Sequence, residues 1–261
     1  MTRTEGAHAR RHGDGALRRR HIVTVPDART VVAGMEDEMH RFELVLRHDD
    51  QVVTAIEGTP VRWPWSPCLD SPAALHAVEG MPLTTAPAAI GRFTDARQQC
   101  THQFDLAGLA VAHAARTARG GEPVRQYDAV VPDWVDPPYT ASLQRDGVDV
   151  LSWTLGADAI TAPEPFAGLP LRGRFIEWCE ANLDDDLAEA AMLLRRAVWI
   201  SPARRIDLEG CATANDSALR EGVCFTAQPH RIAIAVRNRG SLRDYGHTPD
   251  ALLSDFPRAR S

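Results

Sequence analysis

The dipeptide Asp146-Gly147 constrains the fold of this chain more than any other short segment. It separates two stretches, 139–145 and 148–155, in which apolar and polar residues alternate with a period of two. A two-residue loop of this type joins neighbouring antiparallel strands, because both of its residues adopt a positive φ easily. The sequence therefore predicts a hairpin here, within an antiparallel sheet.

Other strand and helix patterns lie on both sides of this hairpin. The stretches that predict strands are 29–35, 40–46, 51–56, 124–131, 159–161, 222–227 and 231–236. Capping residues and helical periodicity predict helices over 71–79, 94–118, 173–182 and 187–199. The strands come in hairpins and meanders rather than in strict alternation with helices. This order predicts an α+β fold, a single domain in which helices pack on a mostly antiparallel sheet.

The two ends of the chain differ from its centre in composition. Residues 1–20 are rich in Arg, Gly and His and contain no apolar run, so we expect a disordered Arg-rich arm and no signal peptide. Residues 21–246 carry the predicted elements and form the expected α+β domain. Residues 247–261 show no clear pattern, and we expect a flexible tail there.

Composition argues against several classes of function. All 29 basic residues are Arg, so there is no lysine to form a Schiff base. The formal charge of −6 argues against a nucleic-acid partner, and no run of ~20 apolar residues predicts a membrane span. Glycine-rich nucleotide-binding motifs are absent, so we expect no nucleotide cofactor. Five widely spaced cysteines predict free thiols in a reducing compartment, the cytoplasm.

The segment 100–105 (Cys-Thr-His-Gln-Phe-Asp) concentrates residue types that carry chemistry. On a helix, Asp105 lies on the same face as His102, where its carboxylate could orient the ring as a general acid or base. Asp105 could equally accept hydrogen bonds from the free backbone N–H groups in the first turn of the helix. Cys100 joins this candidate catalytic set if it precedes the helix in extended backbone. His40, which follows three acids, is the candidate second proton carrier.

A metal site is the alternative use of the same region. Thiols and imidazoles are ligands of zinc and other transition metals, and the predicted set is Cys68, Cys100, His102 and Cys224, with His40 as a further candidate ligand. No Cys-x-x-Cys pair is present, so the ligands would come together from distant parts of the chain. Each cysteine taken singly is also explained as a small buried core residue.

Aromatic and basic residues near prolines and glycines are candidates for binding a small-molecule substrate. Trp63 and Trp65 flank a proline and could wall a pocket for a ring or an acyl chain. Arg243 lies in a loop with Arg237 and Arg239, and such a cluster could bind a carboxylate or phosphate through forked hydrogen bonds. The alternatives are core packing for the tryptophans and a solvated loop for the arginines.

Several motifs together resemble a bacterial protein family of unknown function. They are 63–68 (WPWSPC), 100–110 (CTHQFDLAGLA), 222–229 (GVCFTAQP) and 239–244 (RGSLRD). The runs 127–133 and 195–201 and the position of His40 also fit the family's pattern. The resemblance covers nearly all of the chain after residue 20. It implies that the family's pattern includes Cys68, Cys100, His102, Asp105 and Cys224, and it implies no established activity.

Three functions remain open from the sequence. The first is a small-molecule enzyme of lyase, isomerase or hydrolase type, acting on an apolar or aromatic acid through His102 and Asp105 with nearby thiols. The second is a protein with a structural zinc site. The third is a non-catalytic ligand-binding or interaction module in which these residues belong to the core. The oligomeric state is left open.

Overall fold

Eight antiparallel strands form one sheet in the computed structural model, which describes residues 15–133, 136–217 and 219–257. The strands are β1 (Ala16–Asp27), β2 (Thr30–Glu36), β3 (Arg41–His48), β4 (Val53–Arg62), β5 (Val124–Pro132), β6 (Tyr139–Arg145), β7 (Val148–Leu155) and β8 (Ile160–Ala162). Their order in the sheet is β4-β3-β2-β1-β5-β6-β7-β8. Helices pack against this sheet, and the predicted α+β fold is confirmed.

Two long helices and several shorter segments complete the described fold. The α-helices are α1 (Ile90–Phe93), α2 (Thr101–Thr117), α3 (Phe175–Asn182), α4 (Asp185–Ile200) and α5 (Pro229–Ile232). The 3-10 segments are Ser66–Val78, Ala96–Gln98, Ser201–Arg205, Ala214–Ser217 and Pro249–Ala251. Within the described ranges, no helix has both the length and the apolar character that crossing a bilayer requires.

Asp146 and Gly147 form the predicted turn between β6 and β7. Their φ angles are 54° and 79°, the positive values that a two-residue hairpin turn of this type needs. The register places Ala141 opposite Trp153, and both side chains are fully buried. Local turn chemistry and alternation therefore decide this part of the sheet.

The sheet has two different faces around β2 and β3. Helix α2 packs on one face, where Met35 and Phe42 enter the main core. Successive side chains of a strand point to opposite faces, so Glu36 and Arg41, which are paired across the strands, lie on the other face. Ile22 on that second face packs against the C-terminal segment.

The predicted arm over residues 1–20 is wrong for its last five residues. Residues 16–20 begin β1, the strand at the centre of the sheet, and pair with both β2 and β5. Arg19 and Arg20 are buried there because Asp37 and Asp128 neutralise their charges. Residues 1–14 lie outside the described part of the chain.

The predicted flexible tail over residues 247–261 is also wrong where the structure describes it. Leu252, Leu253 and Phe256 are buried, and the last two pack on Ile22. Gly34 in β2 lets this segment approach, because a Cβ there would lie 2.6 Å from the Phe256 ring. Residues 258–261 are outside the described ranges.

Two strands predicted near the C-terminus are wrong. Residues 222–227 form turns, beginning with Gly222 at φ 78°, and Pro229–Ile232 is a short helix. The backbone hydrogen bonds here are mostly local, and Val236 makes only an isolated bridge to Thr213. Ala227, Ile232 and Ala235 pack into a second core that contains Trp65, and Phe225 enters the main core. Val223, Ile234 and Val236 are exposed, so the apolar pattern of these stretches does not mark a buried strand face.

Candidate active site

The loop between β2 and β3, residues 37–40, is shaped by one buried carboxylate. Oδ1 of Asp37 accepts hydrogen bonds from the backbone N–H groups of Met39 and His40, at 2.9 and 2.8 Å. Oδ2 accepts a hydrogen bond from Arg19 at 2.9 Å, and both side chains are completely buried. This tight turn determines where the His40 side chain lies.

Asp37 also contacts the imidazole of His40 directly. Nδ1 of His40 lies 3.0 Å from Oδ1 of Asp37. Burial alone would raise the pKa of Asp37, but the contacts with His40 and the charge of Arg19 hold that pKa well below its ordinary value. The carboxylate is therefore ionised and holds the ring with Nε2 pointing away from it, in the manner of orienting carboxylates in catalytic and metal sites.

His102, in the first turn of α2, packs against the Asp37–His40 pair. Its ring stacks on that of His40, with centroids 3.8 Å apart and planes 27° apart, and also contacts Phe42. Burial, followed by the charges of His40 and Arg19, lowers the pKa of His102 well below its ordinary value. Nε2 of His102 is buried and has no hydrogen-bond partner among the residues that the structure describes. A neutral imidazole with an unused buried nitrogen is thus part of the centre.

The predicted pairing of His102 with Asp105 is wrong. Asp105 forms a two-point ion pair with Arg196 of α4, at 2.6 and 3.2 Å, and does not cap the first turn of α2. The permanent charge of Arg196 binds a carboxylate more strongly than a neutral imidazole can. Asp37, which precedes His40 by three residues, is the carboxylate of the site.

The cysteines near the centre remain protonated thiols. Cys100 precedes α2 in extended backbone, as its predicted role requires, and its Sγ lies 4.0 Å from Nδ1 of His102. Burial raises the pKa of Cys100 to about 11 and that of Cys68 to about 12, and it raises the pKa of Cys224. Sγ of Cys68 lies 3.1 Å from the hydroxyl oxygen of Thr226. None of these thiols is activated as a nucleophile at neutral pH.

The predicted zinc set of Cys68, Cys100, His102 and Cys224 is not gathered at ligand distance. Among the described residues, the group of potential ligands that the fold brings together consists of Asp37, His40 and His102. Each contributes one ligand atom, and these atoms lie within 4.8 Å of one another. His102 belongs to both the predicted set of four and the observed group, and His40, the further candidate ligand, is in the observed group as well.

The predicted substrate-binding residues lie away from the histidines. Trp63 and Arg243 line an open cleft of about 620 Å³ on the second face of the sheet, while Trp65 is buried in the second core. Buried Arg62 lies between the histidine centre and the cleft and bonds to both. Its guanidinium donates hydrogen bonds to the backbone carbonyls of Asp37 and His40 on one side and of Ser241 on the other.

The sequence indicates His40 and His102 as site residues but does not indicate Asp37 and Arg19 as their partners. The signal for Asp37 was the acidic run before His40, although three neighbouring carboxylates gave no means of choosing among them. Arg19 carried no signal, because its segment resembles a charged arm. Burial and pairing across the sheet assign both roles.

No family model and no curated protein matches this chain. Membership of the bacterial family that the motifs resemble stays a prediction.

Proposed function

We propose that this protein is a small-molecule enzyme whose reactive centre consists of Asp37, His40 and His102. The observation that carries the proposal is the hydrogen bond between Asp37 and Nδ1 of His40, beside a stacked and neutral His102. A carboxylate that fixes one tautomer of a histidine leaves the other ring nitrogen for proton transfer. Lyase, isomerase and hydrolase reactions all use such a step.

In the proposed step, His40 is the general base. Nε2 of His40 removes a proton from the substrate or from a water molecule, and Asp37 stabilises the imidazolium that forms. A proton is later returned to the product or leaving group, either the one removed or one that the imidazolium has exchanged with solvent, so the enzyme ends unchanged. Arg19 keeps Asp37 ionised throughout. His102 provides a polar surface beside His40 and, because its pKa is lowered, does not take up the proton itself.

The cysteines and the net charge of the chain support a proposed location and a proposed class of partner. The five cysteines are free thiols, and four of them are buried, which favours a reducing compartment and supports a cytoplasmic location. Small molecules, rather than nucleic acids, are the proposed partners of an acidic protein of this kind.

Deuterium exchange tests this proposal without knowledge of the substrate. The protein is incubated with a bacterial metabolite extract in D₂O, and mass spectrometry detects products or deuterium-labelled metabolites. We expect conversion or labelling by the wild type and a loss of about 100-fold or more in His40→Asn, which keeps a donor near Nδ1 but removes Nε2. His76→Asn, at an exposed histidine, serves as the matched control. A wild type that changes no metabolite, or a His40→Asn variant that is as active, contradicts the proposal.

A second candidate function is metal-assisted catalysis at the same centre. Two imidazoles and a carboxylate are a ligand set that suits Zn²⁺ or Fe²⁺ and leaves coordination positions for a substrate. The unpartnered Nε2 of His102 favours this candidate, because a ligand would satisfy it. Asp37 already accepts four hydrogen bonds, so it serves more readily as the residue that orients His40 than as a strong ligand.

Metal content separates the two candidates. Elemental mass spectrometry of the purified protein, followed by titration of the metal-free protein with Co²⁺, measures stoichiometry and ligand type. Metal-assisted chemistry predicts one equivalent that is lost in His102→Ala and retained in Cys100→Ala. Loss in both variants, with sulfur-to-cobalt charge-transfer absorption, would favour the thiol set instead. A protein that binds no metal leaves metal-free proton transfer as the function.

A further inference from the structure

The cleft on the second face of the sheet has an excess of positive charge. Four arginines line it, Arg41, Arg62, Arg239 and Arg243, together with two carboxylates, Glu36 and Asp255. The chain as a whole has a formal charge of −6, so this surface differs in sign from the rest of the molecule. A concave surface of one sign concentrates ligands of the opposite sign.

The two carboxylates of the cleft are already engaged. Glu36 accepts hydrogen bonds from Arg62, from the Tyr245 hydroxyl and from the backbone N–H of Leu253. Asp255 forms an ion pair with Arg41 at 2.8 Å. These acids therefore do not neutralise the remaining two arginines.

Arg239 and Arg243 have no carboxylate partner among the described residues. Arg239 donates to the backbone carbonyl of Glu209, and Arg243 donates to the carbonyls of Gly240 and Leu242. Both residues are exposed, and most of their guanidinium N–H groups remain available. Paired guanidinium groups of this kind bind carboxylates and phosphates through charge-assisted hydrogen bonds.

The loop that carries these arginines is held rigidly in place. The completely buried side chain of Arg237 bonds to Glu209, to the Ser241 hydroxyl and to backbone carbonyls around the loop. Gly240 has a φ of 72°, and its N–H donates to the Glu209 carboxylate. A preorganised loop loses little conformational freedom when a ligand binds.

An apolar surface completes the cleft. Trp63 is half-buried there, and its backbone carbonyl accepts a hydrogen bond from Asn238. Val61 at the bulged end of β4 is 43% exposed. A tryptophan and a valine beside guanidinium groups suit a ligand that has an apolar or aromatic body and an anionic end.

We propose that this cleft is a binding site for a small organic anion, distinct from the histidine centre. Arg239 and Arg243 bind the carboxylate or phosphate of the ligand, and Trp63 and Val61 contact its apolar body. The site lies on the face of the sheet opposite α2, so it does not depend on whether the histidine centre is catalytic.

Titrations followed by ¹H–¹⁵N NMR test the site with phenyl phosphate, benzoate, inorganic phosphate and neutral benzyl alcohol as probes. We expect phenyl phosphate or benzoate to cause saturable shifts at the amides of Gly240 and Ser241 and at the Trp63 indole. Arg239→Gln and Arg243→Gln should each weaken binding by roughly tenfold, since each removes a charge-assisted hydrogen bond. Arg119→Gln, at an exposed arginine outside the cleft, should bind as the wild type does.

The relative strengths of the probes identify the ligand class. Phosphate that binds as tightly as phenyl phosphate indicates that the charge alone is recognised, and weaker phosphate binding shows that the apolar body contributes. The proposal is overturned if no anion shifts the cleft amides, if benzyl alcohol binds equally well, or if neither cleft substitution weakens binding. Because both arginines are exposed, we expect the two substitutions to leave the fold intact. The amide spectra of the variants check this directly.

Discussion

The guanidinium of Arg19 lies 2.9 Å from the carboxylate of Asp37, and neither side chain is accessible to solvent. Removing one partner of a buried ion pair leaves an uncompensated charge, so Arg19→Met should lower the free energy of unfolding by about 3–5 kcal/mol. Denaturant unfolding measures this loss. Arg29→Ala, at an exposed ion pair with Asp50, should change stability by less than about 1 kcal/mol. Equal effects of the two substitutions would contradict the role assigned to Arg19.

Asp105 should contribute to stability and leave the histidines unaffected. Asp105→Asn weakens the ion pair with Arg196 and should cost roughly 1–3 kcal/mol of unfolding free energy. The imidazole ¹⁵N shifts of His40 and His102 should stay the same, because neither ring contacts Asp105. Asp37→Asn should change both sets of shifts, since Asp37 bonds to His40 and His102 stacks on it. A large change in the ¹⁵N shifts of His102 in Asp105→Asn would instead support the predicted pairing of His102 with Asp105.

His113 should make the fold less stable in acid. Burial, and then the nearby charges of Arg125 and Arg116, lower the pKa of His113 to about 4 in the folded protein. Its Nε2 donates to the Pro123 carbonyl, and Nδ1 is buried without a partner in the described part of the chain, so protonation at Nδ1 is unfavourable.

The direction of this pH effect follows from proton linkage. Between the ordinary pKa of 6.5 and the folded value of about 4, the unfolded chain binds a proton that the folded chain excludes. Stability is therefore lost as the pH falls through this interval, by roughly 2–3 kcal/mol at pH 4.5. His113→Phe should lose less stability between pH 7 and pH 4.5 than the wild type. His76→Gln, at an exposed histidine, is the control, and identical pH profiles for all three proteins would refute the assignment.

The C-terminal segment should behave as part of the core. Phe256→Ala removes a ring that is 96% buried and should cost about 3–5 kcal/mol, whereas substitution in a flexible tail would cost almost nothing. Gly34→Ala should also destabilise the fold, because the new methyl group meets the same ring. In the double variant the Gly34→Ala penalty should shrink, since the ring it meets is gone. Additive penalties from chemical denaturation would exclude this contact.

The thiols should react slowly in the native protein. Four of the five cysteines are buried, and burial raises the pKa of the thiols flanking the histidine centre. We expect Cys224, which is half-buried, to react first with a thiol reagent at pH 7.5, and all five to react after unfolding in guanidinium. Mass spectrometry of the labelled protein identifies the order. Fast labelling of Cys100 would indicate an activated thiolate and would revive its role as a nucleophile.

Local patterns in the sequence were sufficient for much of the sheet. Strands β6 and β7 occupy the predicted residues, because alternation and the turn at Asp146 act between neighbours in the chain. Helix α2 lies within the predicted helical stretch, and Cys100 precedes it as expected. The end segments were misjudged because Arg19 and Phe256 have partners that are distant in sequence.

The sequence by itself determined the fold class and most strand and helix positions, and it indicated His40 and His102 as candidate site residues. Only the tertiary structure decided their partners. Several carboxylates are near each histidine in the chain, and the choice depends on which one a turn, a helix face or a buried guanidinium brings into contact. Asp37 pairs with His40 because the turn after β2 closes around it, and Asp105 turns away because Arg196 of α4 is there to bind it. Such choices depend on charges and surfaces that meet only when the chain is folded.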